Sequence, residues 1–158
     1  MIADADLAHL RAAIEASREA SARGDEPYGA VLVDASGNVI ATAGNTQHTT
    51  GDCTGHAETN LLREATQQFD PQTLAGSTLY ASGEPCAMCA GAIYWSGVSR
   101  VVFALPAARM NAIAGPATDV LDLDARAVLG KGAHRVTVLG PALEDEAAAV
   151  LEAHYAAR

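Results

Sequence analysis

The chain has 158 residues, 49% of them hydrophobic and 18% charged, which is enough to bury a core as one domain over 1–158. Ten Lys and Arg against nineteen Asp and Glu give a net charge of −9, which argues against nucleic acid as a partner, because binding it draws on cations that neutralise phosphates. The start, MIADADLAHLRAAIEASREA, lacks a basic stretch followed by an apolar run, no segment is apolar for long enough to span a bilayer, and three cysteines fit a disulfide framework poorly; the expected compartment is the cytoplasm.

Residues 5–23 read as a helix: Leu7, Leu10 and Ile14 fall on one stripe, Arg11 and Glu15 form an i,i+4 pair, and Gly24 can stop it. GAVLVDASGNVIATAGN then reads as two strands, 29–34 and 38–44, around a turn at Ala35-Ser36-Gly37-Asn38. A polar loop over 45–54 precedes a helix over 56–68, with Ala57, Leu61 and Leu62 apolar and Pro71 beyond its end. STLYAS (77–82) reads as a strand, 86–96 as a helix and RVVFAL (100–105) as a strand. Residues 106–121, punctuated by Pro106, Gly115 and Pro116, read as irregular. A short helix over 122–129, a fifth strand at RVTVLG (135–140) and an amphipathic helix over 142–156 complete the chain. Strands alternating with helices after an opening hairpin imply an α/β domain of three layers around a mixed sheet.

Two successive loop-to-helix junctions carry the residues with chemistry. T-G-H-A-E-T (54–59) puts His56 and Glu58 at one helix start, and E-P-C-A-M-C-A-G (84–91) puts Cys86 and Cys89 at the next. Positions i and i+3 share a helix face, so both sulfurs can reach one point. A helix N-terminus favours the thiolate, which is the form that binds zinc. One imidazole and two thiolates leave one of the four positions of zinc for water, and a carboxylate two residues from the histidine can take the proton of that water and deliver it to a substrate. Taken alone, C-x-x-C also fits a redox dithiol, but such a pair follows the first strand of a βαβ unit, whereas this one comes late and behind an H-x-E. A closed structural zinc site needs a fourth ligand, for which Cys53 is the only spare cysteine; it reads as a partly buried small residue beside the site. His9, His134 and His154 lack comparable partners, and His48 is placed to line a pocket.

HAE (56–58) together with PCAMC (85–89) resembles the zinc-dependent cytidine deaminase-like superfamily, whose signature is H-x-E…P-C-x-x-C. The likeness extends to PYGAVLV (27–33) and AGN (43–45), which look like the first strand of that family and the end of its second. The resemblance implies an α/β/α sandwich around a five-stranded mixed sheet, one Zn2+ per chain held by His56, Cys86 and Cys89, and Glu58 as the proton shuttle. It also implies a base contact from the Asn45 amide, with main-chain N–H groups near Ala57 and at the Cys86 helix start fixing the ring. Tyr28, Trp95 or Tyr155 would stack on the base, and Asp119, Glu144 or Asp145 would offer it an acidic contact.

EPCAMCAGAIYW is most similar to the bacterial guanine deaminases, although Gly83 stands where those enzymes usually have a cysteine. Similar sequences include cytosine, tRNA adenosine and triazine-ring deaminases. The acidic balance, and a C-terminal EDEAAAVLEAHYAAR whose one Arg is its last residue, disfavour tRNA. The expected reaction is hydrolytic deamination of a nucleobase, guanine to xanthine with release of ammonia, in a homodimer whose C-terminal residues close the pocket. Cytosine, cytidine, other nucleosides and amino-triazines are the alternative substrates. A structural zinc module and a thiol redox protein are the non-enzyme alternatives.

Overall fold

The computed structural model describes residues 1–158. In chain order the elements are α1 (Asp4–Ala22), β1 (Gly29–Val33), β2 (Val39–Gly44), α2 (Gln47–Thr50), α3 (Ala57–Gln68), α4 (Pro71–Ala75), β3 (Thr78–Gly83), α5 (Ala87–Ser96), β4 (Arg100–Leu105), α6 (Ala107–Ala114), α7 (Ala125–Leu129), β5 (Thr137–Leu139) and α8 (Glu144–Ala156). The five strands form one sheet in the order β2-β1-β3-β4-β5. β1 runs antiparallel to β2 and β3, while β3, β4 and β5 are parallel to their neighbours, so the sheet is mixed.

Alternation along the strands sorts the core into two layers. Ala30 and Leu32 of β1, with Leu79 and Ala81 of β3, pack against Leu61 and Ala65 of α3 and against Ala90 and Ile93 of α5. Val31 and Val33, with Tyr80, Val102 and Ala104, pack against Leu10 and Ile14 of α1 and against Ala147 and Leu151 of α8. This is the expected three-layer α/β/α sandwich. The small residues allow close layers: a Cβ on Gly29 would lie 2.4 Å from the Ala13 carbonyl oxygen, so α1 presses directly on β1. No helix is long and apolar enough to cross a membrane.

The structure departs from the sequence reading at several punctuation marks. Pro106 and Gly115 bound a helix instead of interrupting a loop: Pro106 is the N-cap of α6, and Gly115, at φ +88°, is its C-cap. Within 106–121 only Pro106 and residues 115–121 lack helix or strand, and the helix expected from 122 begins at Ala125. Pro71 likewise opens α4, where its missing N–H costs nothing, and α2 occupies part of the expected 45–54 loop. β5 is only three residues long.

Candidate active site

His56 is the N-cap of α3 and Cys86 the N-cap of α5, and neither spends its side chain on capping its own helix. Both side chains are therefore free to meet between the two helix starts. The His56 Nδ1 atom lies 3.5 Å from the Cys86 sulfur and 3.6 Å from the Cys89 sulfur. All three donor atoms lie within 4.8 Å of one another. Tetrahedral zinc with ordinary Zn–N and Zn–S bonds separates such atoms by about 3.6 Å, so the donor set fits this metal in both chemistry and spacing. Cys53 is exposed on the rim of the adjacent cavity and outside the cluster, which leaves three protein ligands and an open fourth position.

Glu58, only 7% exposed on the first turn of α3, accepts a hydrogen bond from the Cys89 sulfur at 3.6 Å. Burial pushes its carboxyl up to about 7, the range in which a group can both take and give a proton near neutrality. The Cys86 thiol is drawn down to about 4, first by the hydrogen bond with Cys89 and then by that with His56. Cys89 moves up for the reciprocal reason, and the His56 imidazole moves up because of its bond to Cys86. One of the two sulfurs is thus ready to be a thiolate before any metal arrives.

A cavity of about 400 Å³ opens beside this cluster, and its wall includes Glu58, His56, Cys86, Asn45, Tyr28 and Asp119. Asn45 is 1% exposed and firmly oriented. Its Oδ1 accepts the Gln47 backbone N–H at 2.9 Å, and its Nδ2 donates to Gln47 Oε1 at 2.7 Å. Glu84, Asp122 and Asp124 join Glu58 and Asp119 along the wall, which carries no lysine or arginine.

Several expected contacts are not brought to this cavity. Trp95 is 84% exposed on the far side of α5, with its ring edge-on to Tyr94. Nine residues beyond Cys86 amount to two and a half helical turns, which points the indole away from the sulfurs. Tyr155 stands off the wall because its hydroxyl donates to Glu26 at 2.9 Å. His48 is drawn to the same carboxylate, at 2.8 Å, and does not line the pocket. Glu144 and Asp145 pair with Arg109 instead of facing the cavity.

The wall also holds residues that the sequence reading passed over: Gln47, Glu84, Met88, Met110 and Asn111. Glu84 and Met88 lie inside the cysteine motif and could have been found there. Met110 and Asn111 arrive on α6, within a stretch read as irregular.

A family model for the cytidine and deoxycytidylate deaminase zinc-binding region matches residues 3–105. A protein described as a probable cytosine deaminase from Schizosaccharomyces pombe is 40% identical over 148 residues, covering 92% of this chain and 90% of that one. A tRNA-specific adenosine deaminase from Haemophilus influenzae is 44% identical over 94 residues, 60% of this chain and 54% of its own. Among solved structures, a guanine deaminase from Nitrosomonas europaea aligns with a TM-score of 0.79 at 28% identity, covering 99% of this chain and 86% of that one. A mutant of the protein NE0047 in complex with 8-azaguanine aligns with a TM-score of 0.85 at 28% identity, with the same coverages of 99% and 86%.

Proposed function

The chain belongs to the cytidine and deoxycytidylate deaminase zinc-binding family, zinc hydrolases that break C–N bonds of nucleobases or nucleosides, and on that premise we propose that it deaminates a free nucleobase, guanine to xanthine with release of ammonia. The observation that carries this reading is the charge of the cavity wall: five carboxylates and no cation. Guanine presents several N–H donors and no phosphate, so it matches a wall of acceptors. A tRNA anticodon brings phosphates to the same rim and is repelled by it.

His56, Cys86 and Cys89 would hold the metal. Zinc held there would acidify water for attack on the ring. Glu58 takes the proton released as water adds to the amino-bearing carbon and returns it to the neighbouring ring nitrogen. It then takes the remaining proton from the newly added hydroxyl and delivers it to the departing amine, so that the amino group leaves as ammonia and the oxygen of water remains as the carbonyl. Asn45, its amide fixed by Gln47, offers one N–H and one lone pair to the edge of the ring. Tyr28 and Asp119 supply a ring face and an acceptor.

The enzyme works as a homodimer in the cytoplasm. Exposed Trp95 on α5 supports the first statement, and three unpaired cysteines support the second.

The competing reading is cytosine, favoured by the 40% identity to a probable cytosine deaminase over nearly the whole chain. Ammonia release from guanine, cytosine, adenine, cytidine, guanosine and amino-triazines separates the two. Guanine is expected to give the highest kcat/KM, and a preference for cytosine would replace it as the substrate.

A further inference from the structure

Gly83, the last residue of β3, has no left-handed backbone to explain it. What it lacks is room. A Cβ at this position would lie 2.4 Å from the Met110 Sδ, 3.3 Å from the Met110 Cε and 3.4 Å from the Tyr28 Cδ1. The thioether of Met110 therefore fills the volume that a side chain at 83 would occupy, and Gly83, Met110 and Tyr28 together make one stretch of the cavity wall.

We propose that the Gly83–Met110 pair sets the size of the base pocket and so selects between bicyclic and monocyclic rings. The proposal rests on the nucleobase deaminase reading above and names the specificity device of that site.

The wall at Met110 is firmly mounted. Glu84 Oε2 accepts the Ala107 N–H at 2.9 Å, which caps the first turn of α6, and the Glu84 N–H donates to Leu105 O at 2.8 Å. Arg109 ties the same helix to Asp145 of α8 at 2.8 Å, and Met110 and Ile113 pack on the core layer beneath. The backbone of α6 is thus held at both the sheet end and the α8 side, while the Met110 side chain keeps three rotatable bonds. A group added at Gly83 has one cheap outlet, which is to push the tip of Met110 into the cavity. Conversely, shortening Met110 frees about as many atoms as the imidazole half of a purine adds to a pyrimidine.

The test is kcat/KM for guanine and for cytosine in Gly83→Ala, Met110→Ala, Met110→Leu and the double variant, each checked for wild-type zinc content. Gly83→Ala is expected to lower the guanine-to-cytosine ratio about tenfold, Met110→Ala to raise it about as much, and Met110→Leu to leave it within about threefold. The double variant returns the ratio toward wild type, because the two changes trade the same volume. A ratio that stays within threefold in both single variants overturns the proposal, as does a double variant whose ratio is the simple product of two shifts in the same direction. If the wild type turns over no base, the functional reading falls. The same ratios are then read from calorimetric affinities for guanine and cytosine, and failure to bind either one also overturns the proposal.

Discussion

The Glu58 carboxylate accepts a hydrogen bond from the sulfur of Cys89 at 3.6 Å, so the group proposed to move the proton touches an atom proposed to hold the metal. Proximity of this kind makes a structural and a chemical role for Glu58 easy to confuse. Glu58→Gln keeps the shape and an acceptor for the Cys89 thiol while removing the carboxylate that carries the proton. Ammonia release is expected to fall by about 10³-fold, the middle of the range that general acid–base catalysis contributes, with zinc still bound one per chain. Full activity in this variant would remove Glu58 from the mechanism. Loss of zinc together with activity would make it a structural residue.

Zinc removal separates the enzyme from its non-enzyme alternatives. Cys86 and Cys89 form no disulfide, and with His56 they are spaced for a metal. Chelation is expected to abolish turnover, and zinc to restore it. At free zinc a thousandfold above Kd the metal adds about 4 kcal/mol to folding, so the melting temperature of the apo-protein should fall by roughly 10 °C. Cys53→Ser should retain both zinc and activity, because Cys53 lies outside the donor cluster. A reversible Cys86–Cys89 disulfide in a protein that takes up no zinc would favour the redox reading, and loss of zinc in Cys53→Ser would mean a closed, four-ligand site.

The metal cluster was legible in the sequence because its logic is local: H-x-E and C-x-x-C each set two side chains on one helix start, and helix geometry does the rest. The sheet was legible for a similar reason, since buried strands such as RVVFAL stand out as short apolar runs. The pocket wall obeys tertiary rules instead. Tyr155 and His48 both answer to Glu26, more than twenty positions from either, and no spacing reveals that attraction. Met110 reaches the site only because α6 forms between two residues that read as breakers, Pro106 and Gly115, which instead mark its two ends. Gly83 stands out in the sequence only as a departure from the guanine deaminases, and its steric role shows once Met110 is placed beside it.

Helix α5, AMCAGAIYWS, is apolar on every side, a pattern that belongs in an interior, yet only Cys89, Ala90 and Ile93 are buried. Trp95 is 84% exposed, and a Cβ on Gly91 would meet nothing within 4 Å. A second copy of the chain is the expected cover for this face. Sedimentation velocity should give a dimer for the wild type and a monomer for Trp95→Glu, with the melting temperature of the variant falling as well. A wild type that sediments as a monomer at micromolar concentration would leave the face without that role.

On the α1 side of the sheet, a buried carboxylate pairs with Arg100. Asp6, 4% exposed near the start of α1, accepts hydrogen bonds from Arg100 Nη1 at 2.9 Å, Arg100 Nη2 at 3.0 Å, the Tyr80 hydroxyl at 2.7 Å and the Ala3 N–H at 2.7 Å. The Arg100 guanidinium, first among these partners, holds the carboxyl well below the usual carboxylate range despite its burial. Because the folded pKa is depressed, the stabilisation is fully present above the unfolded value, near 4, and is lost as the pH falls from there toward the folded value. Asp6→Asn removes the charge and leaves Arg100 unpaired beside the core, so it should cost about 3 kcal/mol at pH 7. Urea denaturation at pH 7, 4 and 3 checks both claims. The wild type should lose stability over that range, and the gap to Asp6→Asn should narrow as the pH falls. A gap that stays constant between pH 7 and pH 3 would mean that the carboxylate charge is not what pins α1 to the sheet.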